Sequence, residues 1–257
     1  MRSWKLGIQL YTLRNETIED FPGTLRKVAE QGFEGVEFSH LGFLGMQPEE
    51  LKPLLDELGL KAIGAHIGSI DKVRDHIDEE IANIKAVGGR YLATSLFDPT
   101  LRHNEYTYKQ NFRIIAEAAK RCREQGIAFC FHNHEFELTE HVGGKPALDA
   151  LMDYALETGL QVELDACWLY YGGKDPLAYI RKYKDSLPLL HYKDMRWADD
   201  GKADTVELGR GVMDLKAIAA EVNDSKVEWL IYEQDHCRIP PLASMSESMA
   251  WLKANLL

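Results

Sequence analysis

Ile127-Ala-Phe-Cys-Phe-His-Asn-His-Glu-Phe-Glu137 begins as an apolar run of strand length and ends in imidazole, amide and carboxylate groups. Alternate side chains of a strand face the same way, so His132 and His134 are expected to project together from its C-terminal end. The same form recurs three times. Val162-Glu-Leu-Asp165 ends in a carboxylate, Leu189-Leu-His191 in an imidazole, and Trp229-Leu-Ile-Tyr-Glu233 in a carboxylate. Four buried-type strands, each finishing in a metal-compatible group, predict one shared polar site at one end of a parallel sheet.

On both sides of these runs, apolar strand patterns alternate with helical ones. The pattern predicts strands at 5–10, 36–38, 60–66, 91–95, 127–132, 160–165, 188–192 and 228–232. Helices are predicted over 20–31 (closed by Gly32), 48–58 (opened by Pro48, ended by Gly59), 71–87, 106–125, 145–158, 175–185, 214–222 and 244–255. The polar stretch from Trp197 to Asp204 reads as an inserted loop or small hairpin. Eight strand–helix units with short, mostly Gly-marked turns predict an α/β chain folded as a single (β/α)8 TIM barrel, with residues 1–257 as one domain. Parallel strands buried on both faces should be apolar throughout. The exceptions are Gln9, Glu37, His66, His132, Asp165, His191 and Glu233, at or near the strand ends where barrel enzymes build their sites.

At 257 residues with 45% hydrophobic content, the chain can fill a barrel core and shows no low-complexity segment. A formal charge of −11 opposes nucleic-acid phosphates and anionic lipid as partners. No apolar run approaches the ~18 residues of a membrane span. A strand pattern begins almost at once, leaving no room for a signal peptide, so cytoplasm is the default expectation; a trimmed leader would leave the same sequence. Cysteines 122, 130, 167 and 237 are scattered, and read as buried free thiols rather than a disulfide framework.

Asp165, His191 and Glu233, with His132, form a mixed nitrogen and oxygen set suited to a divalent Mn, Zn, Co or Fe ion and poorly suited to calcium. Clustered charges inside a barrel are costly unless paired or metal-bound. Each residue alone has a bland reading: a turn cap, a hydrogen-bonded core histidine, a paired glutamate. The same pattern on four strands at one end does not.

Further motifs accompany this set: Gly7-Ile-Gln-Leu-Tyr-Thr-Leu-Arg14, Gly32-Phe-Glu-Gly-Val-Glu37, His132-Asn-His134, Leu164-Asp-Ala-Cys-Trp168, His191-Tyr-Lys-Asp194 and Tyr232-Glu-Gln-Asp235. Over essentially its whole length the chain resembles the xylose isomerase-like barrel superfamily of sugar (phosphate) isomerases and epimerases, which also includes inosose dehydratases and AP endonucleases. The last two motifs are especially similar to inosose dehydratases and related keto-sugar enzymes. The resemblance implies a divalent metal held by an acidic residue after strand five, an Asp, a His and a final Glu. Asp165, His191 and Glu233 match the last three. His132 stands where many relatives carry the first glutamate; Glu135 or Glu137 reaches inward instead if the strand end is bulged.

That departure bears on mechanism. Epimerases of the group are thought to use two metal-bound glutamates as opposed bases, and this chain keeps one such carboxylate, Glu233. Beta-elimination from a keto-sugar therefore stands level with symmetric epimerisation. Both begin by removing a proton beside a metal-polarised oxygen. Lys193, on the same strand face as His191, is a candidate acid or oxyanion partner, and His134 a candidate catalytic or supporting group. Glu37, His66, Trp168, Glu137 and Arg196 are candidate substrate contacts.

The expected function is a metal-dependent sugar or sugar-phosphate isomerase or epimerase. The alternative is a keto-sugar or inosose dehydratase, and a third reading is a non-catalytic carbohydrate-binding barrel. DNA repair on this scaffold needs more ligands than the chain offers, since Trp168 occupies a usual histidine position. The expected partner is a small carbohydrate, with no nucleic acid and no membrane. Barrels of this kind often pair, which makes a homodimer the natural oligomer to look for.

Overall fold

The computed structural model describes residues 3–257. Eight parallel strands close on themselves: β1 (Lys5–Gln9), β2 (Gly35–Phe38), β3 (Lys61–His66), β4 (Tyr91–Thr94), β5 (Ala128–His132), β6 (Gln161–Asp165), β7 (Leu189–Tyr192) and β8 (Trp229–Tyr232). Each hydrogen-bonds to its sequence neighbours, and β8 returns to β1. This is the eight-stranded barrel, ringed by helices, that the alternating pattern predicts.

Period-two alternation divides the strand side chains between two apolar layers. Outward residues such as Leu6, Val36, Leu92, Phe131, Leu164 and Tyr192 pack under the helices. Inward residues Ile63, Tyr91, Ala93, Cys130, Leu189, Trp229 and Ile231 fill the barrel itself. Fully burying each large apolar side chain is worth ~1.5–3 kcal/mol, so both layers hold the strands in register. At the floor, Trp229 lies so close to β2 that a Cβ on Gly35 would fall 2.8 Å from its ring. Above these apolar residues the inward positions turn polar: His132 on β5, Glu163 and Asp165 on β6, His191 on β7.

Register sets which of these meet. His191 pairs with Asp165 on one side and Ile231 on the other, and His132 pairs with Glu163. A register shift between Val36 and Glu37 lies where β2 meets β3, not on β5, so the bulge that would bring Glu135 or Glu137 inward is absent from the described strand.

Several helix boundaries differ from expectation for local reasons. The 71–87 helix divides into Ile70–Asp75 and Ile77–Ala86, because His76 sits at φ −128°, ψ 16°. The 145–158 helix shortens to Ala147–Tyr154; Pro146, extended, belongs to a two-residue antiparallel pairing with His141–Val142. The last helix starts earlier, at Pro241. Short helices Arg14–Glu19, Phe136–Thr139 and Ala166–Tyr171 decorate the loops after β1, β5 and β6. The hairpin beyond β7 forms from Asp194–Trp197 and Ala203–Val206. Among the described residues no helix is long and apolar enough to cross a membrane. The four cysteines are free, three of them buried.

Candidate active site

His191 is the hub. From β7 it reaches two sets of carboxylates, one through each ring nitrogen. Nδ1 lies 2.7 Å from Glu233 Oε2 and 4.0 Å from Asp165 Oδ2. Nε2 lies 2.8 Å from both Glu37 Oε2 and Glu163 Oε1. Asp165, His191 and Glu233 thus present ligand atoms within 4.8 Å of one another, and His66, His132, Glu163 and His191 form a second such group.

Lys193, 1% exposed, sits over the first group. Its Nζ is 2.9 Å from Asp165 Oδ2, 2.7 Å from Glu233 Oε2 and 3.0 Å from Asp235 Oδ2. Burial works against the ammonium, but Asp165, Asp235 and Glu233 outweigh it and hold the pKa well above that of an ordinary lysine. Burial likewise opposes the Glu233 carboxylate, yet Lys193 and His191 hold it well below the usual range. For Asp165 burial prevails over Lys193 and His191, and its pKa rises.

In the second group, Glu163 Oε2 lies 2.9 Å from His66 Nε2 and 3.7 Å from His132 Nδ1. Burial disfavours a charged His66, but Glu163 and Glu37 overcome it and push its pKa up to about 10. His132 goes the other way. Burial, reinforced by His191, lowers it to about 3, so it is neutral. His134 is also kept neutral, by burial and then by His132 and Lys193.

The fit to a cation can be judged from unmet hydrogen-bonding capacity. Asp165 Oδ2, both oxygens of Glu163, His132 Nδ1 and His66 Nε2 are buried and, apart from ion-pair approaches to Lys193, His191 and one another, make no well-aligned hydrogen bond. Buried polar atoms are ordinarily satisfied, and these are the atom types that bind borderline divalent ions. Lys193 shares the first group with any ion that enters it, and Asp235 offers the ammonium a remaining partner. The residues present therefore fit a divalent metal.

Around this centre, His134 stacks on Phe136 (5.2 Å, 15°) and leans towards Trp168, whose ring lies 5.4 Å from Lys193 Nζ. Trp168 also meets Tyr171, and Tyr171 meets Trp197 on the hairpin. Phe97, 68% exposed, closes the line against His134. The result is an aromatic wall along one side of the mouth.

The structure brings together Asp165, His191, Glu233, Lys193, His66 and Glu37, with His134 and Trp168 beside them. His132 is turned: its Nε2 is 4.0 Å from Asp165 Oδ2, while its Nδ1 faces Glu163. Three expected substrate contacts have protein partners of their own. Glu37 is fully buried, its Oε2 held by Gln9 Nε2 at 2.7 Å and by His191. Glu137 is buried and accepts the His134 backbone N–H at 2.8 Å, which fixes the loop after β5 instead of reaching inward. Arg196 is exposed on the hairpin, where it pairs with Asp204 at 2.8 Å.

Two acidic residues escaped the sequence reading. Glu163 precedes Asp165 by two and so shares its face, a signal visible as a charge inside an apolar strand. Asp235 lies two beyond Glu233, in the loop that returns to Lys193. Asp194 has a different task. Its carboxylate accepts N–H bonds from Met195, Gly209, Gly211 and Met213, and ties the 207–213 loop to the end of β7.

Residues 25–255 match the family described as xylose isomerase-like TIM barrel. Inosose dehydratase from Lacticaseibacillus casei is 22% identical over 92% of this chain and 90% of its own length. A sugar phosphate isomerase/epimerase from Parabacteroides distasonis ATCC 8503 superposes with a TM-score of 0.82 at 20% identity, over 100% of this chain and 96% of that one. A D-psicose 3-epimerase does so at 0.72 and 16%, over 98% and 99%. With the match spanning nearly the full barrel, the chain belongs to the xylose isomerase-like TIM barrel family.

Proposed function

We propose that this chain is a divalent-metal-dependent enzyme that removes a proton from carbon beside a carbonyl of a sugar, sugar phosphate or related cyclitol. The observation that carries the reading is the convergence of Asp165, His191 and Glu233, from three adjacent strands, on one buried spot with Lys193 against it. Asp165 Oδ2, His191 Nδ1 and Glu233 Oε2 would hold the ion. Bound there, a Mn, Zn, Co or Fe ion would polarise the substrate oxygen and acidify the adjacent C–H.

The chain's own groups supply the rest. Glu233, kept ionised by Lys193 and His191, is the base. Lys193 is the acid or oxyanion partner, 2.7 Å from Glu233 Oε2. The line from Phe97 through His134 and Trp168 offers faces for sugar C–H groups and excludes water. His66, partly exposed at the rim, is placed to meet hydroxyls.

One base serves isomerisation, in which the same carboxylate returns the proton to the neighbouring carbon. It also serves elimination, in which Lys193 protonates a departing hydroxyl. The second reading, a dehydratase, is favoured by the imidazole of His132 standing where an opposed carboxylate would be needed, which leaves Glu233 as the single base. Its likeness to inosose dehydratases supports the same reading. The substrate partner is a small carbohydrate, the working unit a single 1–257 barrel or a pair of them, and a cytoplasmic setting accords with the sequence.

The test is proton-exchange NMR in D2O over a panel of keto-sugars and inososes with Mn²⁺ or Co²⁺ added. Deuterium uptake with a rearranged sugar supports isomerisation, and loss of a hydroxyl supports elimination. No exchange with any panel member, by protein shown to hold metal, would remove the reading.

A further inference from the structure

Glu163 turns its two oxygens to different neighbours. Oε1 faces His191 Nε2 at 2.8 Å, while Oε2 faces His66 Nε2 at 2.9 Å and His132 Nδ1 at 3.7 Å. Glu163 Oε2 and His66 Nε2 meet as an ion pair, His132 Nδ1 makes no hydrogen bond, and the Glu163 and His132 side chains are 0% and 4% exposed. With metal–ligand bonds of ~2.0–2.2 Å, the edges of a tetrahedral site measure about 3.3–3.6 Å. The two spacings lie on either side of that range.

We propose that His66 Nε2, His132 Nδ1 and Glu163 Oε2 form a second divalent-cation site, the inner site, on the Nε2 side of His191, the outer Asp165–His191–Glu233 site lying on its Nδ1 side. Two imidazoles and a carboxylate are a donor set for zinc, cobalt or ferrous iron, not for calcium.

Charge points the same way. Glu233 and Asp165 have Lys193 as a built-in cation. Among the described residues no lysine or arginine pairs with Glu37 or Glu163; imidazoles and the Gln9 amide face them instead. In metal-free protein the charge facing these two buried carboxylates is imidazolium, His66 being held protonated by them; a dication takes over that role as the imidazole gives up its proton. Coordination through Nδ1 leaves the His132 ring proton on Nε2, facing Asp165 Oδ2. Oε1 of Glu163 stays free to accept the Nε2 proton of His191, a carboxylate–histidine arrangement that orients a ligand from behind. The inner site thus shares no ligand atom with the outer one and does not rest on the proposed reaction.

Metal counting decides the matter. Full-length protein is stripped with chelator, titrated calorimetrically with Zn²⁺ and Co²⁺, desalted and analysed for bound metal. Wild type is compared with Glu163→Gln, His66→Ala and Asp165→Asn. Two equivalents in wild type are expected, with one lost in each variant, and Glu163→Gln and His66→Ala losing the same one by its cobalt absorption spectrum. A single equivalent, lost in Asp165→Asn but kept in Glu163→Gln and His66→Ala, overturns the inner site and leaves the outer reading standing. A single equivalent with the opposite pattern supports the inner site and removes the outer one. Unchanged counts in Glu163→Gln and His66→Ala, or no binding by wild type, also overturn it. Should Glu163→Gln fail to fold by circular dichroism, His66→Ala, at a partly exposed position, decides alone.

Discussion

A buried lysine needs acidic company, and Lys193 has three carboxylates within 3.0 Å. Replacing it with Met strands those charges, so Lys193→Met should destabilise metal-free protein by about 3–5 kcal/mol in urea titration. Added Mn²⁺ should restore part of the loss, because the ion answers the same charges. Glu233→Gln keeps the shape and a hydrogen-bond acceptor for Lys193 but removes the base; kcat should fall ~10²–10⁴-fold with the fold retained by circular dichroism. Near-wild-type turnover would strike Glu233 from the role. His66 gives a pH signature. Its folded pKa of about 10 exceeds the unfolded ~6.5, so its contribution is fully present below pH ~6.5 and is lost as pH rises through about 10. Melting temperature of chelated protein should therefore fall across that window, and His66→Gln should flatten the fall. At this scale the sequence showed which residues end strands, since an ionisable group after an apolar run stands out. It could not show that His132 presents Nδ1 inward, or that Glu37 is occupied by Gln9, because ring orientation and partner choice are settled by neighbouring strands.

Strands were the most legible elements. Their apolar runs place all eight within a residue or two, whereas helices are governed by local backbone events that periodicity does not carry. His76 breaks one helix although its neighbours keep helical spacing. The loop helices after β1, β5 and β6 are too short to show a period. Two elements invite tests. Gly35→Ala would place a methyl 2.8 Å from the Trp229 ring and 2.9 Å from Ile63, both buried, and should cost ~1–3 kcal/mol through overpacking. Asp194→Ala would strip the N–H groups of Gly209, Gly211 and Met213 of their acceptor; a loss of ~2–4 kcal/mol in urea unfolding is expected. Faster proteolysis within 207–213 should accompany it.

For the molecule as a whole, the carboxylates lining the barrel mouth concentrate part of the chain's −11 net charge at one end of the barrel. Cation binding should consequently raise the melting temperature of chelated protein. By linkage, a ligand at ~1,000 times its Kd adds about 4 kcal/mol, which differential scanning calorimetry would register as a shift of several degrees. A chelated sample that melts unchanged with Mn²⁺, Zn²⁺ and Co²⁺ would contradict the metal reading. Fold class was recoverable from the alternation of patterns alone; the reaction was not, because one ring of polar groups with a single base can serve either isomerisation or elimination. Finally, β8 returning to β1 leaves the barrel with no unpaired strand edge. Copies of this chain cannot join by extending that sheet, so a dimer is left to helix faces, loops or the edges of the small hairpins, and the closed barrel itself presents no edge for fibrous pairing.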